Sequence, residues 1–259
     1  AQESRGLGDV YKRQLLTRPM ELNIWRAPTD NDMYIRPRWE RAHYDRCTPY
    51  AYSVEVVSDA SVVVKSQVAL VAPSIQPILK ADLEWTLGAD GALRMNASVT
   101  RDTQFPELPR LGWRLFWDQN FTHAEWSGLG PHENYLDKRR SAWHGRFRST
   151  VRDLFQPYLR PQENGSRSAC DYLKLSGENA SLEVVSAAEF SFNASHFTQE
   201  ELGAKAHDYE LVETPETVLC LDHRMAGIGS QSCGPKLQEC YQVAASHYEF
   251  SFTLKFSSN

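Results

Sequence analysis

The chain has 259 residues, of which 41% are hydrophobic, 11% aromatic and 24% charged, and its formal net charge is −5. This length and composition are typical of a folded protein with a sizeable core and argue against a disordered one. Basic residues are scattered and no apolar run approaches the ~20 residues that cross a bilayer, so nucleic-acid-binding and membrane-spanning classes are disfavoured.

The five cysteines predict a reduced protein. Their number is odd, they are widely spread, and no two of them form a Cys-x-x-Cys pair, which disfavours both a disulfide framework and a zinc site. We therefore expect a cytoplasmic protein with free thiols, and no metal or cofactor bound by this chain. Residues 1–13 share no pattern with the rest of the chain, so we expect a foreign leader there and a domain over residues 14–259.

Alternation of apolar and polar residues is the dominant structural signal. It is strict over residues 79–87 and resumes over residues 93–99 after an Asp-Gly turn, which predicts a β-hairpin. Further strands are predicted at residues 111–117, 218–222 and 248–256. Only the segment starting at Thr198, which has capping-box spacing, predicts a helix of about two turns. The expected fold is all-β, a large antiparallel β-sandwich with one short helix.

The first of four polar clusters spans residues 25–32 and sets an aromatic ring, a guanidinium group and two carboxylates around a proline. Its candidate functional side chains are Arg26, Asp30, Asn31 and Asp32. The simpler interpretation is a loop held by Asx turns and an Arg–Asp ion pair.

The second and third clusters, residues 128–137 and 161–167, mix turn-forming residues with polar side chains. Their candidate residues are Glu133, Asn134, Glu163 and Asn164. Loops of this kind can carry binding groups, but glycine and proline indicate backbone geometry first. His132 and His196 lack a second histidine or cysteine at ligand spacing, so a structural role is favoured over metal binding.

The fourth cluster, residues 227–235, is a loop of small residues after the strand predicted at residues 218–222. A phosphate-binding loop would need a helix after its glycines, whereas here Pro235 and a β-like segment follow. A flexible or tight turn is the simpler interpretation.

Together these clusters resemble, in the same order, the C-terminal domain of the LacZ-type β-galactosidases of glycoside hydrolase family 2. That domain is their small-chain, or fifth, domain. The resemblance runs from about Gln14 to Phe256 and rests on five segments: Arg26-Ala27-Pro28 with residues 30–32, residues 128–135 with Asp137, residues 161–165, residues 190–193, and residues 225–235. It implies a β-supersandwich similar to galactose mutarotases, packed beside a catalytic barrel.

The resemblance also implies that this chain carries no catalytic residue. In that family of retaining, mainly bacterial glycosidases, the catalytic glutamates and the magnesium and sodium sites lie in other domains, so the chain alone should be inactive. What this domain contributes there is one wall of the galactoside site, through the loop of Gly229, Ser230, Gln231, Ser232, Cys233 and Gly234. Cys233 occupies the position that reaches the sugar, and the complete enzyme is expected to be a homo-oligomer.

Two other functions remain open on the sequence. A free-standing aldose-1-epimerase-like enzyme would need its own acid–base pair, usually a histidine and a glutamate facing a cleft, and no such motif is evident. A carbohydrate-binding module should present an exposed aromatic platform, whereas several tryptophans fall on the inward face of predicted strands.

Overall fold

A computed structural model describes residues 16–58, 61–72, 76–229 and 234–258. Ser230 to Cys233, the centre of the loop expected to reach the sugar, and the expected leader lie outside the described residues. In the described ranges no helix is long and apolar enough to cross a membrane.

In the part of the chain that the structure describes, twelve antiparallel strands form one continuous sheet. The strands are β1 (Leu16–Asn23), β2 (Thr48–Ser58), β3 (Val62–Val71), β4 (Leu79–Leu87), β5 (Ala92–Arg101), β6 (Arg110–Asp118), β7 (His123–Gly130), β8 (Trp143–Thr150), β9 (Arg167–Ser176), β10 (Ala180–Ser195), β11 (Glu216–Met225) and β12 (His247–Ser258). Their order is β1-β6-β11-β10-β12-β5-β4-β3-β2, and β9, β7 and β8 branch from β10. The expectation of a large antiparallel all-β fold is confirmed.

The β4–β5 hairpin forms where the alternation predicts it. Leu79 pairs with Arg101 and Leu87 with Leu93, without a register shift between them. Gly91 closes the turn at a φ of +75°, a conformation that glycine adopts without the steric cost of a Cβ.

The core lies between two layers of this sheet. Trp113 of β6 packs against Trp85 of β4, with ring centroids 5.0 Å apart, and against Phe250 of β12 at 6.5 Å. Trp113 and Trp117 are both almost fully buried, as their places on one face of β6 predict. The exposed tryptophan is Trp143 on β8, so within the described ranges the tryptophans form no aromatic platform.

Strand β10 connects the layers because its two halves have different neighbours. Residues 180–185 pair with β12 on one side and β9 on the other, whereas residues 191–195 pair with β11. The polar loops that follow β1, β7 and β11, and the one that precedes β9, start or end on strands of this sheet.

The expectation of a single helix is wrong. The predicted one is present as α3 (Gln199–Ala204), and the Thr198 side chain accepts the backbone N–H of Glu201 as its N-cap. The described residues contain two more short α-helices, α1 (Arg36–Arg41) and α2 (Val151–Leu154), and four 3-10 helices. Each has fewer than two turns, and α1 buries only Trp39, so neither can show an apolar period of 3.6 residues.

Candidate functional site

Four loops from distant parts of the sequence meet at one end of the sheet. They are residues 26–32, 130–138, 156–167 and 226–229, and we call this region the four-loop end. Each loop is hydrogen-bonded to at least one of the others, so the polar clusters of the sequence form one structure.

Arg26 is the centre of the first loop and is buried. Its Nη2 donates to both carboxylate oxygens of Asp32, at 2.7 and 3.0 Å. The same guanidinium donates to the carbonyl oxygens of Ala226, at 2.7 Å, and Gly227, at 3.2 Å. The expected Arg–Asp pair is confirmed, and it also fixes the Gly-Ile-Gly turn 200 residues away.

The other residues of this loop reach two further loops. Asn31 Nδ2 donates to the carbonyl of Ile228 at 2.7 Å. Asp30 is exposed, and its backbone N–H donates to Gln162 Oε1 at 3.1 Å. The backbone N–H of Glu163 donates to the carbonyl of Ala27 at 3.1 Å. The first loop therefore bridges the third and fourth.

Asp137 holds the Gly-Ile-Gly turn from the other side. Its carboxylate accepts the backbone N–H of Ile228 at 3.0 Å and of Gly229 at 2.7 Å. A Cβ at Gly227 would lie 2.6 Å from that carboxylate, and one at Gly229 would lie 2.9 Å from it. Only glycine permits this approach. The turn from which residues 230–233 depart is thus anchored by Arg26, Asn31 and Asp137.

Glu133 joins the second and third loops. It accepts from Lys138 Nζ at 2.7 Å, from the Tyr158 hydroxyl, and from the backbone N–H of Gly165 at 2.8 Å. Burial alone would raise the pKa of Glu133, but these hydrogen bonds outweigh burial and lower the pKa below its ordinary value.

A fully buried ion network lies beneath the loops. Arg110 forms two hydrogen bonds with Asp222, at 2.9 and 2.6 Å, and a longer one with Glu163 at 3.3 Å. Burial raises the pKa of Glu163, and the positive charge of Arg110 opposes that shift only in part. The arginine is committed mainly to Asp222, which leaves Glu163 the weaker partner.

The two candidate asparagines secure turns. Asn134 is buried, donates to the carbonyls of Leu129 and His132, and accepts the backbone N–H of Ser168. Asn164 donates to the carbonyl of Gln162 and accepts the N–H of Gln156. Each side chain is used within the protein, as the structural interpretation of these clusters predicts.

The structure places the described candidate residues of the first three clusters in the four-loop end. Of the fourth cluster, Gly229 lies in the anchored turn, whereas Gly234 is exposed and outside the four-loop end. Three residues that organise the end were not among the sequence candidates: Arg110, Asp222 and, as an anchor of the turn, Asp137. Asp137 did stand beside the second motif, but Arg110 and Asp222 carried no local signal.

Metal binding has no support in the described ranges. No group of three or more histidine, cysteine, aspartate or glutamate side chains could hold an ion there. His132 is exposed, and His196 Nδ1 lies 3.4 Å from the carbonyl oxygen of Glu216.

Among the described residues, three concave surfaces are large enough for a small molecule. A groove of about 870 Å³ crosses the polar face of β2 to β5 and β12 and is lined by no histidine, so it offers no histidine–glutamate pair for an epimerase. A second, of about 590 Å³, lies on β7, β8 and β9, where His123 and Glu125 line it; the Glu125 carboxylate is paired with Arg148 at 2.7 Å. A third, of about 430 Å³, adjoins the four-loop end.

Comparison with known proteins supports the family that the motifs indicate. Residues 5–254 match the family described as Beta galactosidase small chain. The chain belongs to the β-galactosidase small-chain family. It is 40% identical over 245 residues to a β-galactosidase of Actinobacillus pleuropneumoniae and 34% identical over 235 residues to one of Staphylococcus xylosus. These matches cover 94% and 90% of this chain but 24% of each relative, so the chain spans about a quarter of their length.

Among solved structures, this small chain is similar to a GalM/aldose epimerase homologue from C. elegans. The identity is 14% and the TM-score 0.38, and the match covers 79% of this chain and 68% of that one.

Proposed function

We propose that this small chain completes the galactoside site of a β-galactosidase whose catalytic carboxylates lie in the remaining three quarters of the protein. The observation that carries the proposal is the four-loop end, where the family's motifs meet and anchor one turn. Buried ion pairs and hydrogen bonds between the loops hold that turn. We infer that the side chains forming them have a structural role and are neither a catalytic acid nor a nucleophile. Such an end is suited to present a loop to a neighbouring domain.

We do not expect the described residues of this end to supply the two carboxyl groups of glycoside hydrolysis. A glycosidase needs two of them about 5–10 Å apart and facing substrate. The carboxylates of the four-loop end are instead occupied: Asp32 by Arg26, Asp137 by the turn, and Glu133 by Lys138. We infer that the chain alone hydrolyses no galactoside.

Other properties of the complete protein are proposals of the same kind. Magnesium and sodium belong to its other domains, and it is a homo-oligomer that works in the cytoplasm. Support for a reducing compartment comes from the free thiols of Cys47, Cys170, Cys220 and Cys240.

A segment exchange tests the proposal. Residues 16–259 replace the matching segment of the Actinobacillus pleuropneumoniae β-galactosidase, giving an exchange enzyme, and its turnover of a chromogenic β-galactoside is measured. We expect activity from the exchange enzyme, and none from the small chain or from the relative without its segment. A folded but inactive exchange enzyme, or turnover by the small chain that is abolished by mutating one of its own carboxylates, would refute the proposal.

A further inference from the structure

The cavity of about 430 Å³ beside the four-loop end is a candidate ligand site in its own right. One wall consists of residues within 26–39, and the opposite wall of Ala226, Gly227, Lys236, Leu237 and Gln242. Its volume lies within the range of small-molecule sites, roughly 300–1,000 Å³. Neither the ion network nor the anchored turn fills it.

The walls carry polar groups that no described residue satisfies. The Tyr34 hydroxyl and the Lys236 ammonium have no hydrogen-bond partner in the described ranges, and both side chains are exposed. Asn31 and Gln242 each use their amide nitrogen in a protein hydrogen bond and leave the amide oxygen open. Both hydrogen-bond donors and hydrogen-bond acceptors therefore line this cavity.

A buried donor on the same wall is also unsatisfied. Arg26 is 1% exposed, and its Nε has no hydrogen-bond partner among the described residues, although both of its Nη atoms donate hydrogen bonds. A buried N–H without a partner is destabilising, so native structures usually provide an acceptor for it from the protein, from water or from a ligand.

The charge of the walls selects the chemistry of the ligand. Arg26 is paired with Asp32, and Arg38 lies 3.4 Å from Glu107, which leaves Lys236 as the unpaired charge among the described lining residues. An anion would meet the Glu107 carboxylate and the two open amide oxygens. A hydroxyl group can accept from Lys236 and donate to those oxygens, because it is both donor and acceptor.

An aromatic side chain completes the lining. The Tyr34 ring is 58% exposed and borders the cavity, while Trp39 closes its floor with its indole N–H bonded to the carbonyl of Glu107. The lining therefore combines an exposed aromatic ring with several convergent polar groups, and both features occur in small-molecule sites.

We propose that this cavity binds a neutral monosaccharide, and that the small chain does so without the rest of the enzyme. The proposal goes beyond completing the catalytic site, and it rests on the proposed function only for the choice of galactose as first probe. Tyr34 supplies the stacking surface, and Lys236, Asn31 and Gln242 supply the hydroxyl contacts.

The test is titration of isotope-labelled small chain with galactose, followed by NMR, with glucose and galacturonate as comparison probes. We expect saturable, millimolar binding of galactose that shifts signals of the cavity residues. Tyr34→Ala and Lys236→Ala should each weaken it roughly three- to tenfold. The matched control is Tyr209→Ala, which removes an exposed tyrosine outside the cavity and should change nothing.

Three outcomes would overturn the proposal. They are no saturable binding of any neutral sugar, equal weakening by Tyr34→Ala and Tyr209→Ala, and tighter binding of galacturonate than of galactose, which would indicate an anion site. Absence of saturable binding would indicate instead that the cavity receives a side chain from the rest of the protein. An active exchange enzyme whose small chain binds no sugar would refute this proposal alone, and sugar binding beside an inactive exchange enzyme would refute only the proposed function.

Discussion

Glu133 and Glu163 lie in neighbouring loops, yet their surroundings shift their pKa values in opposite directions. Hydrogen bonds from Lys138, Tyr158 and a backbone N–H stabilise the Glu133 carboxylate. Glu163 is buried beside an arginine that is already paired with Asp222. One glutamate therefore favours ionisation in the folded state, and the other opposes it.

These shifts predict opposite pH dependences of stability. The stabilising contribution of Glu133 is present above its unfolded pKa of about 4.3 and is lost as pH falls through its lowered folded pKa. Glu163, with a raised folded pKa, contributes fully below about pH 4.3, and its contribution is lost as pH rises through that folded pKa.

Urea unfolding of the small chain at a series of pH values measures both contributions. Glu133→Gln should reduce the loss of unfolding free energy on the acid side of the profile. Glu163→Gln should reduce the decline above about pH 4.3. Because the two substitutions are chemically identical, each is the control for the other, and profiles changed in the same direction by both would contradict the account.

Cys233 carries the prediction that comes from the family resemblance. In the exchange enzyme, Cys233→Trp should strengthen galactoside binding by about 1 kcal/mol through stacking, whereas Cys233→Ala should change little because a thiol is a weak hydrogen-bond partner. Inhibition by galactose measures the effect. A collapse of turnover in a correctly folded Cys233→Ala enzyme would show that the loop has a different role.

At the scale of elements, two glycines with open surroundings should respond oppositely to alanine. A Cβ at Gly203, inside α3, or at Gly91, in the β4–β5 turn, would meet no atom within 4 Å among the described residues. Gly203→Ala should therefore stabilise the chain by about 0.5–1 kcal/mol through helix propensity. Gly91→Ala should destabilise it because its φ of +75° is costly for alanine. The midpoint of thermal unfolding measures both changes in stability. A gain in stability from both substitutions would contradict the turn conformation at Gly91.

The elements that the sequence predicted correctly have local signals. The β4–β5 hairpin shows strict alternation around an Asp-Gly turn, and α3 begins at a threonine that caps it. By contrast, α1 and α2 are stabilised where they pack, at Trp39 and at Val151 and Leu154, and show no period of their own. Tertiary contacts, absent from any local pattern, decide such short helices.

The contacts of the candidate site also fall into those with a local sequence signal and those without one. The Arg26–Asp32 pair spans six residues, so the sequence indicated it correctly. Asp137 contacts its partners 91 and 92 residues away, and Arg110 contacts Asp222 at a separation of 112. Only the strand order brings these groups together, and a single sequence contains no direct record of that order.

At the scale of the whole molecule, thiol reactivity should report burial. Cys240 is exposed, whereas burial raises the pKa of the half-buried Cys47 and of the buried Cys220 to about 12. In a Cys233→Ser background, alkylation followed by mass spectrometry should modify Cys240 first and Cys47 more slowly, because the thiolate reacts. Cys170 and Cys220 should react only on unfolding.

Denatured protein is the control for this experiment, and there all five cysteines of the unsubstituted chain should alkylate without prior reduction. Modification of Cys170 or Cys220 at the rate of Cys240 in the native chain would contradict the described packing. A cysteine that needs a reductant before it alkylates would argue against the proposed reducing compartment.

The small chain spans about a quarter of the length of its relatives, and its four-loop end anchors a single turn. If that end faces the galactoside, loosening the turn should change how substrate binds more than how fast it reacts. The catalytic carboxylates of the proposed enzyme lie elsewhere.

The most direct test is therefore Asp137→Ala in the exchange enzyme, with Asp208→Ala as the matched control, because Asp208 is also half-buried and begins a short 3-10 helix outside the four-loop end. Loss of the two hydrogen bonds to Ile228 and Gly229 should raise KM for a β-galactoside roughly fivefold, about 1 kcal/mol, with a smaller change in kcat. The control should match the parent enzyme. An Asp137→Ala enzyme that is folded and has the KM and kcat of its parent would show that the four-loop end does not face the substrate.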